Sequence, residues 1–320
     1  MTTTRLPDFF IVGHPKSGTT ALYEMLREHP QIFMPKMKEP RYFASDLPSS
    51  FQRHSDVPPL TREDYLALFA PARADQRVGE ASTAYIWSHD AAGAIAAANP
   101  AARIIAIFRE PASFVRSMHL QLLQIRIERE ADLRKAIALE AERREGRRLP
   151  SIMRRWPQVL LYTERVRYTE QLRRFRELFA PEQVLALVYD DFRADNQAFL
   201  RRVLRFLEVD DGVEIAPLEA NPTVRVRSAR LEDMVNAADQ GDGGLARAVK
   251  TTARIALPSR RLRKGAYWLV RRRMVFAKPP ALDETLMREL RERFRPEVAA
   301  FGEYIGRDLL TLWGYESSAS

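Results

Sequence analysis

The chain has 320 residues, 46% of them hydrophobic and 29% charged, a balance suited to a globular domain that can bury a sizeable core. It contains no cysteine, which excludes disulfides, thiolate metal sites and cysteine nucleophiles. Met1 to Asp8 is short and polar, and no run reaches the roughly 18 apolar residues of a spanning helix, so a cytoplasmic protein with a single domain over 1–320 is expected. The net charge is +9, and the positive excess lies between Gly243 and Leu282, where eleven Arg and Lys residues meet no Asp or Glu. Such a basic segment attracts acidic lipid surface, nucleic acid or an anionic substrate.

The first element is an apolar run, Phe9–Val12, which predicts a buried strand. Gly13-His14-Pro15-Lys16-Ser17-Gly18 follows as a loop, and Thr19–His29 then has helical spacing, with Ala21, Leu22, Met25 and Leu26 on one face. Strand, tight loop and helix N-terminus form a phosphate cradle, because backbone N–H groups and the helix dipole point at the anion. A nucleoside-triphosphate P-loop needs Gly-x4-Gly-Lys-Ser/Thr. Here Gly13 and Gly18 keep that separation, but Thr19 stands where the Lys belongs and the Lys is in the loop, at Lys16. That placement suits a phosphate ester with a cation beside its bridging oxygen.

The stretch from Pro35 to Pro71 reads as long loops with short helices, a length more often functional than decorative. Further strands are predicted at Arg77–Gly79, Arg103–Phe108 and Val184–Tyr189, and helices at Ala112–Arg129, Thr163–Phe179 and Asn196–Leu207. Arg126 to Arg148 mixes both charge signs and reads as exposed helix. A last helical region spans Asp283 to Leu312, with Leu286, Leu290, Phe294, Val298 and Phe301 as its apolar face. The alternation predicts an α/β fold of three layers, a mainly parallel central sheet flanked by helices. Arg109 directly after the third strand, with Ser117 eight residues on, can grip a second phosphate. Two phosphate sites on one sheet edge point to a nucleotide phosphorylated at its 5′ and 3′ ends.

Here the chain resembles the sulfotransferases that use 3′-phosphoadenosine 5′-phosphosulfate (PAPS). Pro15-Lys16-Ser17-Gly18-Thr19-Thr20 is similar to their 5′-phosphosulfate loop, and Arg109-x-Pro111-x5-Ser117 to their 3′-phosphate motif. Gly79–Tyr85, Glu164–Tyr168, Val188–Phe192 and Leu309-Leu310-x-x-Trp313 are similar in the same order. The resemblance implies a P-loop-like sulfotransferase architecture, PAPS as donor and 3′,5′-ADP (PAP) as product. It implies that Lys16 meets the bridging oxygen, that Ser17, Gly18, Thr19 and Thr20 hold the 5′-phosphate, and that Arg109 and Ser117 hold the 3′-phosphate. Lys38-Glu39-Pro40-Arg41-Tyr42-Phe43 resembles a segment of the glycan-type enzymes whose Glu is the base, so Glu39 is the candidate. Its bland alternative is a Glu paired with Lys36, Lys38 or Arg41. His14 is the competing base. Arg225 or Arg227, in an Arg-x-Arg-Ser stretch, are candidates to reach the nucleotide.

Two positions depart from the pattern. Ala81 follows Glu80 where glycosaminoglycan enzymes typically have Lys, which argues against a highly sulfated acceptor. Phe114 stands where many members carry a second Arg of the 3′-phosphate motif. The five His residues are too scattered for a metal site, and no metal is expected. The acceptor is expected to be a hydroxyl of a carbohydrate, glycolipid or small metabolite, with no specific nucleic acid. The segment 259–278 joins cations to Trp268 and large aliphatics, which suits peripheral contact with anionic membrane. The rival readings are a P-loop phosphotransferase and a basic nucleic-acid or membrane-binding protein with a non-catalytic loop.

Overall fold

In the computed structural model, which describes residues 5–48, 59–215, 225–226, 276–277 and 281–315, five strands form one sheet. They are β1 (Phe9–Ile11), β2 (Ile32–Phe33), β3 (Arg77–Ala81), β4 (Arg103–Phe108) and β5 (Val184–Val188), in the order β2-β3-β1-β4-β5. Every pairing is parallel, with Phe9 opposite Gly79 on one side and Arg103 on the other. The helices are α1 (Thr19–Arg27), α2 (Arg62–Ala67), α3 (Ala91–Ala98), α4 (Pro111–Gln124), α5 (Leu133–Ala138), α6 (Glu140–Arg144), α7 (Tyr168–Arg176), α8 (Tyr189–Ala194), α9 (Asn196–Phe206), α10 (Glu284–Ile305) and α11 (Leu309–Trp313). A short antiparallel pair, β6 (Arg225–Val226) and β7 (Phe276–Ala277), brings the backbone of Arg225 beside α4.

The strands read as apolar runs because both sheet faces are covered. Side chains alternate between two cores, as the two-residue period of a strand requires. Phe9, Ile11, Ile105 and Ile107 pack with Leu22, Met25 and Leu26 of α1 and Leu200, Val203 and Leu204 of α9. Phe10, Ile104, Ala106 and Phe108 pack on the other face with α4, α7 and α10, where Leu286, Leu290, Phe294, Val298 and Phe301 are all buried. The three-layer α/β reading is therefore the observed fold.

Several boundaries differ from the sequence reading. β2 is two residues long, too short to show a period. Tyr189 belongs to α8 and not to the preceding strand. The helix after β4 starts at Pro111, capped by the Glu110 carboxylate, which accepts from the amides of Ala112 and Ser113. It ends at Gln124, just before Arg126 takes a left-handed φ of 60°. The expected helix Thr163–Phe179 is split into a 3₁₀ turn, Thr163–Arg165, and α7, so that Arg165 is buried over the Trp87 ring. The 126–148 stretch is not simply an exposed helix. It forms α5 and α6, and Arg143 is buried in a bidentate pair with Glu128 at 2.8 and 2.9 Å, with the Tyr162 hydroxyl donating to Glu128 at 2.8 Å. Of the basic segment 243–282, the described residues include only the backbone of β7 and residues 281–282, so its expected role lies outside them, as does Arg227. No described helix is long and apolar enough to cross a membrane.

Candidate active site

Gly13 lets β1 leave the sheet against β4, since a Cβ there would sit 2.3 Å from the Ile107 nitrogen. The chain then turns into α1 through two left-handed residues, Lys16 at φ 66° and Gly18 at φ 83°. A non-glycine residue in that region is strained, so the turn holds Lys16 in a conformation that the surrounding structure enforces. Gly18 is the N-cap of α1, and no side chain caps that end. The Ser17 hydroxyl is buried with no partner among the described residues. Uncapped amides, an orphaned hydroxyl and a loop cation together form a donor-rich cradle suited to a phosphate.

Arg109 closes the cradle from β4. Its Nη1 donates to the Lys16 carbonyl at 2.9 Å, its Nε lies 3.3 Å from the Ser113 hydroxyl, and its guanidinium sits over the Tyr189 ring at 5.2 Å. Burial, and then the neighbouring Arg109, push the Lys16 amine below its ordinary value. Burial also lowers Arg109. Two desolvated cations side by side favour an anion between them.

Lys16, Gly18, Thr19, Thr20 and Arg109 line one cleft of about 340 Å³ with Glu39. Glu39 is brought there by a tight turn in which Glu39 and Arg41 both have left-handed φ, of 61° and 56°. The Glu39 amide donates to Ala81 at 2.9 Å and the Arg41 amide to the Ser82 hydroxyl at 3.1 Å, tying the turn to the end of β3. The carboxylate accepts from Lys38 at 2.9 Å, Arg41 at 3.0 Å and the Thr83 hydroxyl at 3.0 and 3.1 Å. The pairing that sequence offered as the bland alternative is thus present, and it operates inside the cleft. Burial pushes Glu39 up, but Lys38 and Arg41 more than offset it and hold the group at about 2.

His14 is not in the cleft wall. It is fully buried among Phe108, Phe114 and Tyr168, with ring centroids 5.7, 4.7 and 4.7 Å away. The Gln171 amide nitrogen donates to the Arg165 carbonyl, so its oxygen faces His14 and accepts from Nε2–H at 2.7 Å. Burial drives His14 down to about 3 despite the Gln171 bond, which makes the ring neutral and leaves Nδ1, buried with no partner among the described residues, bare. That geometry removes it as the competing base. Phe114, the departure from the expected Arg, packs against this histidine. Ser117 is buried on α4 and is not among the lining residues. Gln121, one helical turn further on, does line the cleft, and its buried Oε1 has no partner among the described residues.

Sequence reasoning missed Lys38, Thr83, Gln121, Tyr189 and Arg193 as cleft residues. Thr83 and Tyr189 lay within matched segments without a role. Gln121 follows Ser117, and Arg193 follows Tyr189, at the four-residue spacing of one helix face.

A family model described as "Sulfotransferase family" matches residues 7–212. The chain belongs to the sulfotransferase family. Carbohydrate sulfotransferase 15 of rat is 34% identical over 107 residues, which cover 27% of this chain and 19% of the relative. The human protein of that name is 33% identical over the same shares. The match thus spans about a fifth of the length of these curated relatives. A sulfotransferase structure from Alicyclobacillus acidocaldarius has a TM-score of 0.66 at 24% identity, covering 97% of this chain and 99% of the other, and it shares the fold. In this sulfotransferase the matched region holds β1 to β5 and every described residue of the cleft.

Proposed function

We propose that this sulfotransferase moves a sulfuryl group from PAPS to a hydroxyl of a carbohydrate, glycolipid or small metabolite. The observation that carries the reading is the convergence of Lys16, the uncapped start of α1, Arg109 and Glu39 on one cleft. The acceptor oxygen forms a bond to sulfur as the bond from sulfur to the bridging phosphate oxygen breaks. The acceptor proton goes to Glu39, and PAP departs with the electron pair. Lys16 stabilises the charge that grows on the departing oxygen, a role stronger in the transition state than in the ground state. Amides around Ser17 and Gly18 with the hydroxyls of Thr19 and Thr20 hold the 5′-phosphate. Arg109 and Gln121 line the cleft where the 3′-phosphate is held; Ser117, buried on α4, would join them by turning its hydroxyl toward that phosphate, and Arg225 or Arg227 reach the nucleotide.

Glu39 is ionised at neutral pH, ready to accept a proton, although its two cations keep it weakly basic. Lys38 also faces the cleft, and turning it toward the sulfuryl oxygens would restore basicity to Glu39 as the donor binds. A sulfuryl group carries less negative charge than a phosphoryl group, so these cations can serve without a metal ion. Contact of 259–278 with anionic membrane would bring a lipid-linked acceptor to the same cleft. The test is transfer of label from PAPS across a panel of carbohydrates, glycolipids and hydroxylated metabolites. Acceptor-dependent transfer that Lys16→Met abolishes is expected. Transfer undiminished in Lys16→Met overturns the assignment.

A further inference from the structure

A second cavity, of about 210 Å³, is lined by Trp87, Gln158, Arg165, Arg167 and Arg174 among others. Thr83 lines the cleft and Trp87 lines this cavity, at the two ends of the 3₁₀ turn Thr83–Ile86. At the rise of a 3₁₀ helix those ends are about 8 Å apart. Arg165 is 3% exposed, and its guanidinium carbon lies over the Trp87 indole, 3.9 Å from the ring centroid. Its Nε and Nη2 have no hydrogen-bond partner among the described residues.

The acids in the same wall are already engaged. Asp46 accepts from the Ser88 hydroxyl at 2.5 Å and the His89 amide at 2.8 Å. Glu164 pairs with Arg144 at 2.5 Å, and Glu170 pairs with Arg174 at 3.0 Å and Arg167 at 3.6 Å. Among the described residues no carboxylate lies within ion-pair distance of Arg165. A guanidinium buried without a counter-charge is expensive, and stacking on an indole compensates it only in part. Burial, with Arg41 adding to it and Tyr162 working against it, brings Arg165 down to about 9.

We propose that this cavity seats a carboxylate of the sulfuryl acceptor on Arg165, so that the enzyme selects hydroxyl compounds that carry an acidic group at the far end from the reacting hydroxyl. The inference rests on the sulfotransfer reading above. The carboxylate supplies the missing negative charge, and Trp87 holds the guanidinium plane for it. The Thr83–Ile86 turn sets the separation, about 8 Å, that such an acceptor has to span to place its hydroxyl at Glu39.

The test uses the full chain loaded with PAP and two probes of one shape, 3-(4-hydroxyphenyl)propanoate and its primary amide, titrated by ligand-observed NMR. The expected result is about tenfold tighter binding of the carboxylate, a preference typical of a charge-assisted pair. The preference should vanish in Arg165→Gln with PAP affinity unchanged. Because Arg165 is buried, the half-buried Gln158→Glu is a second variant, and its added charge in the same cavity should also erase the preference. Equal binding of the two probes, binding of neither, or a preference that survives both substitutions overturns the proposal. Inorganic phosphate binding there more tightly than the carboxylate marks a free-anion site and also overturns it. A chain that does not bind PAP at all refutes the sulfotransfer reading itself.

Discussion

His14 offers a prediction whose size follows from its burial. The folded protein holds it neutral, at about 3, whereas an unfolded chain titrates it near 6.5. A group whose folded value is depressed binds its proton first in the unfolded state. Its contribution is therefore complete above pH 6.5 and is lost as pH falls toward 3. The whole window is worth about 5 kcal/mol, and the part between pH 8 and pH 5 about 2 kcal/mol. For a chain of this size that part corresponds to a drop of roughly 4 °C in melting temperature. Glu80 works in the opposite direction, since burial raises it to about 7 despite its bonds to Ser82, Tyr65 and Tyr85. Its contribution is complete below 4.5 and lost as pH rises through 7, so the wild-type profile alone is ambiguous. His14→Phe separates the two. Phe keeps the aromatic packing, leaves the Gln171 oxygen unpaired at a pH-independent cost of about 1–3 kcal/mol, and removes the titration. Denaturation at pH 8, 7, 6 and 5 should give a variant that is less stable at pH 8 but loses about 2 kcal/mol less on acidification. Parallel profiles for wild type and variant would refute a buried neutral His14.

Three other substitutions follow from the same geometry. Glu39→Gln should lower kcat by about 10²- to 10⁴-fold, the worth of a positioned base, with PAP affinity in calorimetry nearly unchanged. Arg109→Ala should weaken PAP more than 5′-AMP in calorimetry, because PAP alone adds the 3′-phosphate; some loss for 5′-AMP is expected too, since Arg109 also braces the Lys16 carbonyl. Arg143→Met should destabilise the fold by about 3–5 kcal/mol in urea unfolding by stranding Glu128, and Arg143→Met with Glu128→Leu should recover most of it.

The sheet was legible because its strands are covered on both faces and so appear as unbroken apolar runs, Phe9–Val12 and Arg103–Phe108 above all. The turn from β1 into α1 was legible because its demands are local: glycines at set spacing, then a helix. What could not be read depends on partners distant in the chain. Arg143 sits in a dense run of charges and looks solvated until Glu128 and Tyr162 are seen around it. His14 lies between Gly13 and Pro15, yet Gln171, Phe114 and Tyr168 make it a core residue. Gln121, Thr83 and Arg193 reach the cleft only because the parallel strands β4, β3 and β5 end at one sheet edge and lead into the elements that carry them. Glu39 was singled out by resemblance, and its place in the cleft, its left-handed turn and its double pairing needed coordinates.

The central claim is that the cleft holds a nucleotide with phosphates at both ends. Calorimetric titration of the purified chain with PAP, and separately with ATP and Mg²⁺, tests it most directly. PAP should bind with one site per chain and ATP–Mg²⁺ should give no saturable heat. Binding of ATP–Mg²⁺ with no binding of PAP would contradict the account.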